Sequence, residues 1–540
     1  MAAPQWNFAD VWEHLADRFP EAPALVHGDV VRSWREFSER SDGLAATLLA
    51  SGLGRQDKVA QYCRNRPEYL ESLFACFKAS FVPVNTNFRY GDEELVYLWK
   101  DADVTAVVFD AEFTGTCERL RAQVPGIRSW IRVPGGPEDD DCPPWAVPYG
   151  EAADSSPVRV RAVWGRSGED LNLLYTGGTT GMPKGVMWQQ HDFFLMLEKQ
   201  YGRMPPEQAD VEGYLSRCSR PGPRVLPGPP LMHGTACWFA MAALSAAGSV
   251  VTLTSTHFDP VELLETVSGR DVKGLCIVGD PFAKPILSEL DSQPGRYDLH
   301  SLRLIMSSGA MLSRESKERL LRHAPHARVV DGLGSSESGS VGCAVAEQPG
   351  EAATARFRLG DHVRVLDDDN RDVPPGSGLA GRLAVSGHLP VGYYKDPDKT
   401  AATFLTIDGR RFVVAGDWAT VELDGSITLL GRGSGCINTA GEKVFPEEVE
   451  EVLKRHPSVR DASVVGVPDE RFGEAVIALV EPEEGAHVDE EALVAHAKAH
   501  LAGYKAPKRV LEIAQVARHA NGKMDYRLMA QVARSELEHR

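Results

Sequence analysis

Leu173-Leu174-Tyr175-Thr176-Gly177-Gly178-Thr179-Thr180-Gly181-Met182-Pro183-Lys184-Gly185 begins as an apolar, strand-like run and becomes a loop chemically suited to phosphate. Its four glycines let the backbone approach an anion closely and aim successive N–H groups at it. Thr176, Thr179 and Thr180 add hydroxyl donors, and Lys184 adds a mobile positive charge. The stretch is not a GxxxxGK[ST] loop. Lys184 follows Pro183, and Gly185 stands where that loop needs a magnesium-binding hydroxyl. A flexible Gly/Thr turn has the same composition, so the reading depends on what accompanies the stretch along the chain.

Four further segments accompany it. They are Asp331-Gly332-Leu333-Gly334-Ser335-Ser336-Glu337, then Gly416-Asp417-Trp418, then Gly431-Arg432 followed by Ile437-Asn438-Thr439-Ala440-Gly441-Glu442-Lys443-Val444, and finally Asn521-Gly522-Lys523. With the phosphate loop, in this order from Thr176 to Lys523, they resemble the signature of the AMP-forming adenylating enzymes. That superfamily holds acyl-CoA synthetases, luciferases and peptide-synthetase adenylation domains. The likeness spans nearly the whole chain. Leu333 stands where the family often has an aromatic residue, and Ser434 where its hinge usually has Asp or Lys. The resemblance implies ATP and Mg2+, with coenzyme A as co-substrate.

Acid activation needs a better leaving group than hydroxide. In the resembled family the acid attacks the α-phosphate of ATP, expels pyrophosphate and becomes an acyl-AMP, which a thiol then attacks. The barrier is charge on phosphoryl oxygens, so positioning and electrostatics carry the catalysis. The resemblance assigns the β- and γ-phosphates to Thr176, Gly177, Gly178, Thr179, Thr180 and Lys184, with Thr180 also counted as catalytic. It assigns the nucleoside to Ser308, Gly309, Ala310, Asp331, Gly332, Gly334, Ser335 and Ser336. Glu337 is the candidate magnesium ligand within the resembled motif, since a divalent ion carried by ATP needs only one or two carboxylates. The resemblance implies that Asp417 accepts from the ribose and that Arg432 offers its planar fork to ribose or phosphate. The resemblance makes Lys523 the catalytic cation at the α-phosphate, places His233 near the carboxylate and thiol channel, and puts Gly441 on the path of pantetheine.

Asn85-Thr86-Asn87-Phe88-Arg89-Tyr90 and Gly279-Asp280-Pro281-Phe282-Ala283-Lys284-Pro285 look most like bacterial fatty acyl and steroid side-chain CoA ligases. Small residues from Ser338 to Ala344 leave room for a bulky acyl chain, with Trp238, Phe239, Phe282, Gly309 and Ala310 as further walls. Apolar walls suit an apolar acid. A carrier-protein-loading ligase and a luciferase-type oxygenase share these motifs. A non-catalytic nucleotide-binding protein should have lost Lys523 or Glu337, and both are present.

The 540 residues exceed one compact core and call for several domains. A composition of 43% hydrophobic and 25% charged residues is that of a globular protein, and a net charge of −18 argues against nucleic acid and anionic membranes as partners. The partners expected are therefore small molecules: a carboxylic acid, ATP and CoA. A homodimer is compatible with this reading. Met1 to Pro20 lacks a basic leader and instead shows Phe8, Val11, Trp12 and Leu15 at helical spacing behind a capping Asn7. No apolar run is long enough to span a membrane, so the cytoplasm is expected. The nine cysteines are scattered, and most sit in apolar company as core thiols.

Apolar strand-like runs alternate with helical patterns, which predicts an α/β fold of layered sheets and helices. Strands are expected at 58–62, 104–109, 250–253, 274–278 and 302–306, and helices at 69–79, 260–268 and 314–324. Asp367-Asp368-Asp369-Asn370 reads as a hairpin turn. The expected domains are a large amino-terminal adenylation domain over 1–431, a hinge at 432–435, and a small mobile α+β domain over 436–540 that carries Lys523.

Overall fold

The computed structural model describes residues 5–136, 138–156, 158–176, 182–205, 210–351, 355–432, 435, 437–439, 442–469, 473–501, 503–518 and 524–538. Gly177, Gly178, Thr179, Thr180, Gly441 and Lys523 lie outside the described residues, and only the backbone of Arg432 is described. The chain forms two compact units: residues 1–354 with 386–413, and residues 355–385 with 414–540.

The first unit holds two largely parallel sheets. In one, the parallel strands Leu171–Thr176, Val82–Asn85, Lys58–Tyr62, Val104–Asp110, Ser129–Val133 and Val147–Pro148 lie side by side in that order. Lys184–Gln189 adds antiparallel to Leu171–Thr176, and Gly392–Tyr393 adds antiparallel to Lys184–Gln189. In the other, Pro23–His27, Ser249–Thr252, Arg224–Pro227, Gly274–Ile277, Leu304–Ser308 and Arg328–Ser335 run parallel, closed at the far ends by antiparallel Val30–Ser33 and Gly339–Ala346. Parallel strands need crossovers and are covered on both faces, which is why they read as continuous apolar runs.

The expected elements recur with small shifts. Helices span Pro67–Ala79, Pro260–Gly269 and Arg314–His323. The run expected at 302–306 pairs as Leu304–Ser308. The N–H groups of Arg303 and Leu304 both reach the Lys273 carbonyl, so the ladder starts after Leu302, whose side chain is buried among helices. Apolar character marks burial and does not mark where pairing begins. Asn7 caps Phe8–Arg18, accepting from the Ala9 N–H while Asp10 accepts from the Asn7 N–H.

Helix Pro67–Ala79 packs against strands of both sheets and is apolar nearly all round, as a fully enclosed helix must be. Around it Phe8, Trp12, Phe37, Phe74 and Phe77 interlock with ring centroids 5.0–6.0 Å apart. Lys78, fully buried, is tolerated there because its Nζ reaches Glu13 at 3.1 Å, Asp42 at 2.9 Å and the Ser38 hydroxyl at 3.0 Å.

The second unit has one sheet of Arg356–Leu359, Ile427–Arg432, Asp417–Val421, Ala380–Val385 and Val363–Leu366. The predicted turn at 367–370 is present, with the Asn370 N–H on the Asp367 carbonyl. Its other sheet pairs the long strands Val459–Asp469 and Gly473–Pro482, with Arg509–Glu512 and Ile437–Thr439 alongside. The two-residue period along the long strands sends Val464, Val476 and Ala478 to one face, under helices Pro446–Leu453 and Glu490–His500. It sends Val465, Ile477 and Leu479 to the other face, under helix Tyr526–Glu538. This part is α+β, as expected. Among the described residues no helix is long and apolar enough to cross a membrane.

Candidate active site

The phosphate loop is rooted on two antiparallel neighbours. Thr176 ends the incoming strand and pairs in register with Lys184, which begins the outgoing one. Gly185 is required here by contact: a β-carbon on it would sit 2.7 Å from Cε2 of the Tyr175 ring. That ring is held from its far end by Asp101, which accepts from the Tyr175 hydroxyl at 2.6 Å.

The second sheet delivers the other predicted residues to the carboxyl ends of its parallel strands, where open α/β sheets form their crevices. Ser308 is in register with Gly332, and Ser307 with Asp331. Gly309 follows in the left-handed region at φ +95°, which favours glycine. Asp331 is buried, and its Oδ2 lies 2.8 Å from Nζ of the equally buried Lys317. Burial pushes the Asp331 carboxyl up, and Lys317 pulls against that. Gly334 allows the hairpin to tighten, since a β-carbon there would meet the Gly339 carbonyl oxygen at 2.4 Å. Ser335 and Ser338 tie the turn through their hydroxyls at 3.0 Å.

Glu337 sits in that turn and is anchored from the other sheet. Trp188 Nε1–H donates to the Ser336 carbonyl at 2.9 Å, and the Tyr393 hydroxyl donates to Glu337 Oε1 at 2.8 Å. No other hydrogen bond to the Glu337 side chain occurs among the described residues. Nor do the described residues hold a cluster of three or more His, Cys, Asp or Glu side chains able to bind a metal ion. A single oriented carboxylate fits an ion that arrives with nucleotide and keeps most of its water and phosphate ligands.

The strap from Val391 to Asp396 was not foreseen from sequence. Its Val391 N–H donates to the Met187 carbonyl at 2.7 Å and its Tyr394 N–H to the Gly185 carbonyl at 2.8 Å, which ties it to the strand leaving the phosphate loop. From there Tyr393 reaches Glu337, and Asp396 pairs with Lys184. Hydrogen bonding to Lys184 holds the Asp396 carboxyl below its ordinary range. Asp396 also caps helix Pro397–Thr403, accepting from the Lys399 N–H. A sequence signal existed in that Asp-Pro cap, but nothing in it names Lys184 as partner.

His233 precedes helix Gly234–Ser245 as its N-cap residue and is half-buried. Trp238 packs its ring on Trp188 and Phe193, while Phe239 closes over Gly274 within the core. Phe282 meets Phe258 with the rings tilted at 59° and 4.6 Å between centroids. In the second unit Asp417 and Arg432 are opposite one another across an antiparallel pair. Gly431 beside Arg432 adopts φ +126°, and a β-carbon on it would strike Glu447 Oε2 at 2.1 Å.

Residues 12–394 match the family model described as AMP-binding enzyme, and residues 448–523 match that of the AMP-binding enzyme C-terminal domain. A medium/long-chain-fatty-acid-CoA/3-oxocholest-4-en-26-oate-CoA ligase of Mycolicibacterium smegmatis is 40% identical over 528 residues, covering 96% of this chain and 95% of that protein. A 3-oxocholest-4-en-26-oate-CoA ligase of Rhodococcus rhodochrous is 38% identical over 531 residues, with the same coverage of 96% and 95%. Among solved structures, ATP-bound MatB of Rhodopseudomonas palustris superposes with a TM-score of 0.81 at 25% identity, covering 98% of this chain and all of that one.

Proposed function

Because the chain belongs to the AMP-binding enzyme family and is an AMP-forming acyl-CoA ligase, we propose that its acid is a large apolar monocarboxylate. A steroid with a carboxylated side chain is the first choice, and a medium- or long-chain fatty acid the second. The observation that carries this is the 40% and 38% identity, over 96% of the chain, to ligases named for those acids. The enzyme uses ATP and CoA and passes through acyl-AMP.

In the first half-reaction a carboxylate oxygen attacks the α-phosphorus, and the bond to the bridging oxygen breaks as pyrophosphate leaves. In the second, the CoA thiol gives up its proton, sulfur bonds to the acyl carbon, and AMP departs. Lys184 and the loop from Thr176 to Thr180 would hold the β- and γ-phosphates, exchanging Asp396 for phosphate at Lys184. Ser308, Gly309, Ala310 and the run Asp331 to Ser336 would frame the nucleoside, and Asp417 and Arg432 the ribose. Mg2+, held by Glu337, would supply charge neutralisation on the phosphates. Lys523 would offset charge at the α-phosphate during adenylation only. His233 would face the carboxylate, and Gly441 would leave a path for pantetheine.

We keep the adenylation domain at 1–431, the hinge at 432–435 and the mobile domain at 436–540 as the division by which these roles alternate. We expect the enzyme in the cytoplasm, which fractionation tests; a homodimer is compatible with the chain, and light scattering decides the oligomeric state. The substrate is tested by pyrophosphate release over a panel of acids, with and without CoA. Each buried methylene contributes up to about 0.8 kcal/mol, so kcat/KM climbs from acetate upward until the pocket is full. A profile that peaks at acetate, benzoate or an amino acid overturns this acid class.

A further inference from the structure

Asn85 ends the parallel strand Val82–Asn85 and is half-buried between two segments that the mechanism uses separately. Its Oδ1 accepts from the Tyr175 N–H at 2.6 Å, and its Nδ2 donates to the Tyr175 carbonyl at 2.9 Å. The same Nδ2 donates to the Met232 carbonyl at 2.8 Å. An amide side chain has two N–H donors and one carbonyl acceptor, so each donor is matched to one carbonyl and the acceptor to one N–H. Tyr175 is the residue before Thr176, the root of the phosphate loop, and Met232 is the residue before His233. From the neighbouring strand's end, Asn65 holds the same segment farther back: its Nδ2 donates to the Pro229 carbonyl at 2.9 Å and its Oδ1 accepts from the Leu231 N–H at 2.6 Å. Pro229 and Pro230 stiffen the stretch between.

We propose that Asn85 is the positioning residue that sets the phosphate loop and the acid-binding segment in register for adenylation. The inference rests on the site reading above. The carboxylate oxygen must come within about 3–3.5 Å of the α-phosphorus in line with the departing pyrophosphate, and a displacement of about 1 Å costs on the order of a hundredfold in rate. One side chain that bonds the backbone of both walls fixes that spacing without touching either substrate. After acyl-AMP has formed, the anhydride bond itself joins acid to nucleotide, and the register no longer depends on the protein. Asn85 therefore serves the first half-reaction and is dispensable in the second.

The test uses the full-length enzyme with Asn85→Ala and Asn85→Asp. The aspartate keeps size and acceptor and loses both donors, so it serves where the alanine variant fails to fold. For the variant whose Tm lies within a few degrees of wild type, the adenylation kcat, read as pyrophosphate release, is expected to fall about fifty- to a hundredfold. KM for ATP and for acid should move less than about threefold, and thioester formation from synthetic acyl-AMP and CoA less than about fivefold. Equal losses in both half-reactions, or a change confined to KM, overturn the proposal. Failure of the wild-type enzyme to release pyrophosphate with any acid would instead refute the site reading, before any variant is measured.

Discussion

Lys317→Met isolates the buried Lys317–Asp331 ion pair of the second sheet. Lys317 Nζ lies 2.8 Å from Asp331 Oδ2, and the two side chains are 2% and 7% exposed. Methionine keeps the packing of the stem but leaves a carboxylate where water hardly reaches. Removing one partner of such a pair costs about 3–5 kcal/mol, because the remaining charge is uncompensated. At about 2 °C per kcal/mol for a large domain, Tm should fall by about 6–10 °C. The pH dependence follows from the sign of the shift. Burial already lifts the Asp331 pKa against the pull of Lys317, and without the lysine the lift is larger. A carboxyl raised in the folded state weakens the fold while it is ionised, and the penalty disappears as pH falls through the folded pKa. The variant's deficit should therefore be greatest at pH 7 and shrink toward pH 5, read by thermal unfolding of wild type, Lys317→Met and Lys317→Met/Asp331→Asn. The double variant should recover most of the loss at pH 7. A deficit equal at both pH values, or a double variant no better than the single, refutes the reasoning.

Lys523→Ala should nearly abolish pyrophosphate release while sparing thioester formation from synthetic acyl-AMP, and an equal loss of both in a folded variant removes the assignment. Gly441→Leu should do the opposite, releasing pyrophosphate in a single turnover but making little thioester, as quenched-flow product analysis would show. Tyr393→Phe deletes the 2.8 Å donation to Glu337; a hydrogen bond to a charged group contributes about 1.5–3 kcal/mol, so kcat/KM for ATP should drop about tenfold or more while Tm falls by no more than about 3–6 °C. Glu13 is raised by burial but more than compensated by Lys78, Arg166 and Arg161, which hold it at about 2 against an ordinary 4.5. Its contribution to stability is present above about pH 4.5 and is lost as pH falls toward about 2, so Glu13→Gln should cost far more at pH 7 than at pH 2.5 in unfolding experiments.

Several parts of this molecule follow from the order of residues alone, and they share a short range. Asn7 caps the helix that begins at the very next residue, and Val59, Ala60 and Tyr62 carry the strand at 58–62 within five residues. The linear order of the motifs was equally legible, because a phosphate loop or a Gly-Ser-Ser-Glu hairpin carries its chemistry within a few neighbours. The partners of those motifs lie elsewhere. Asp396 meets Lys184 across 212 residues, Tyr393 meets Glu337 across 56, and Asn85 meets Met232 across 147. Each of these residues reads locally as an unremarkable cap, core aromatic or strand-end amide. The sequence can state that a carboxylate, a hydroxyl or an amide is present. Which charge or carbonyl it faces depends on how two sheets and the strap between them pack, since a hydrogen bond is decided within a few tenths of an ångström and chain separation holds no record of that distance.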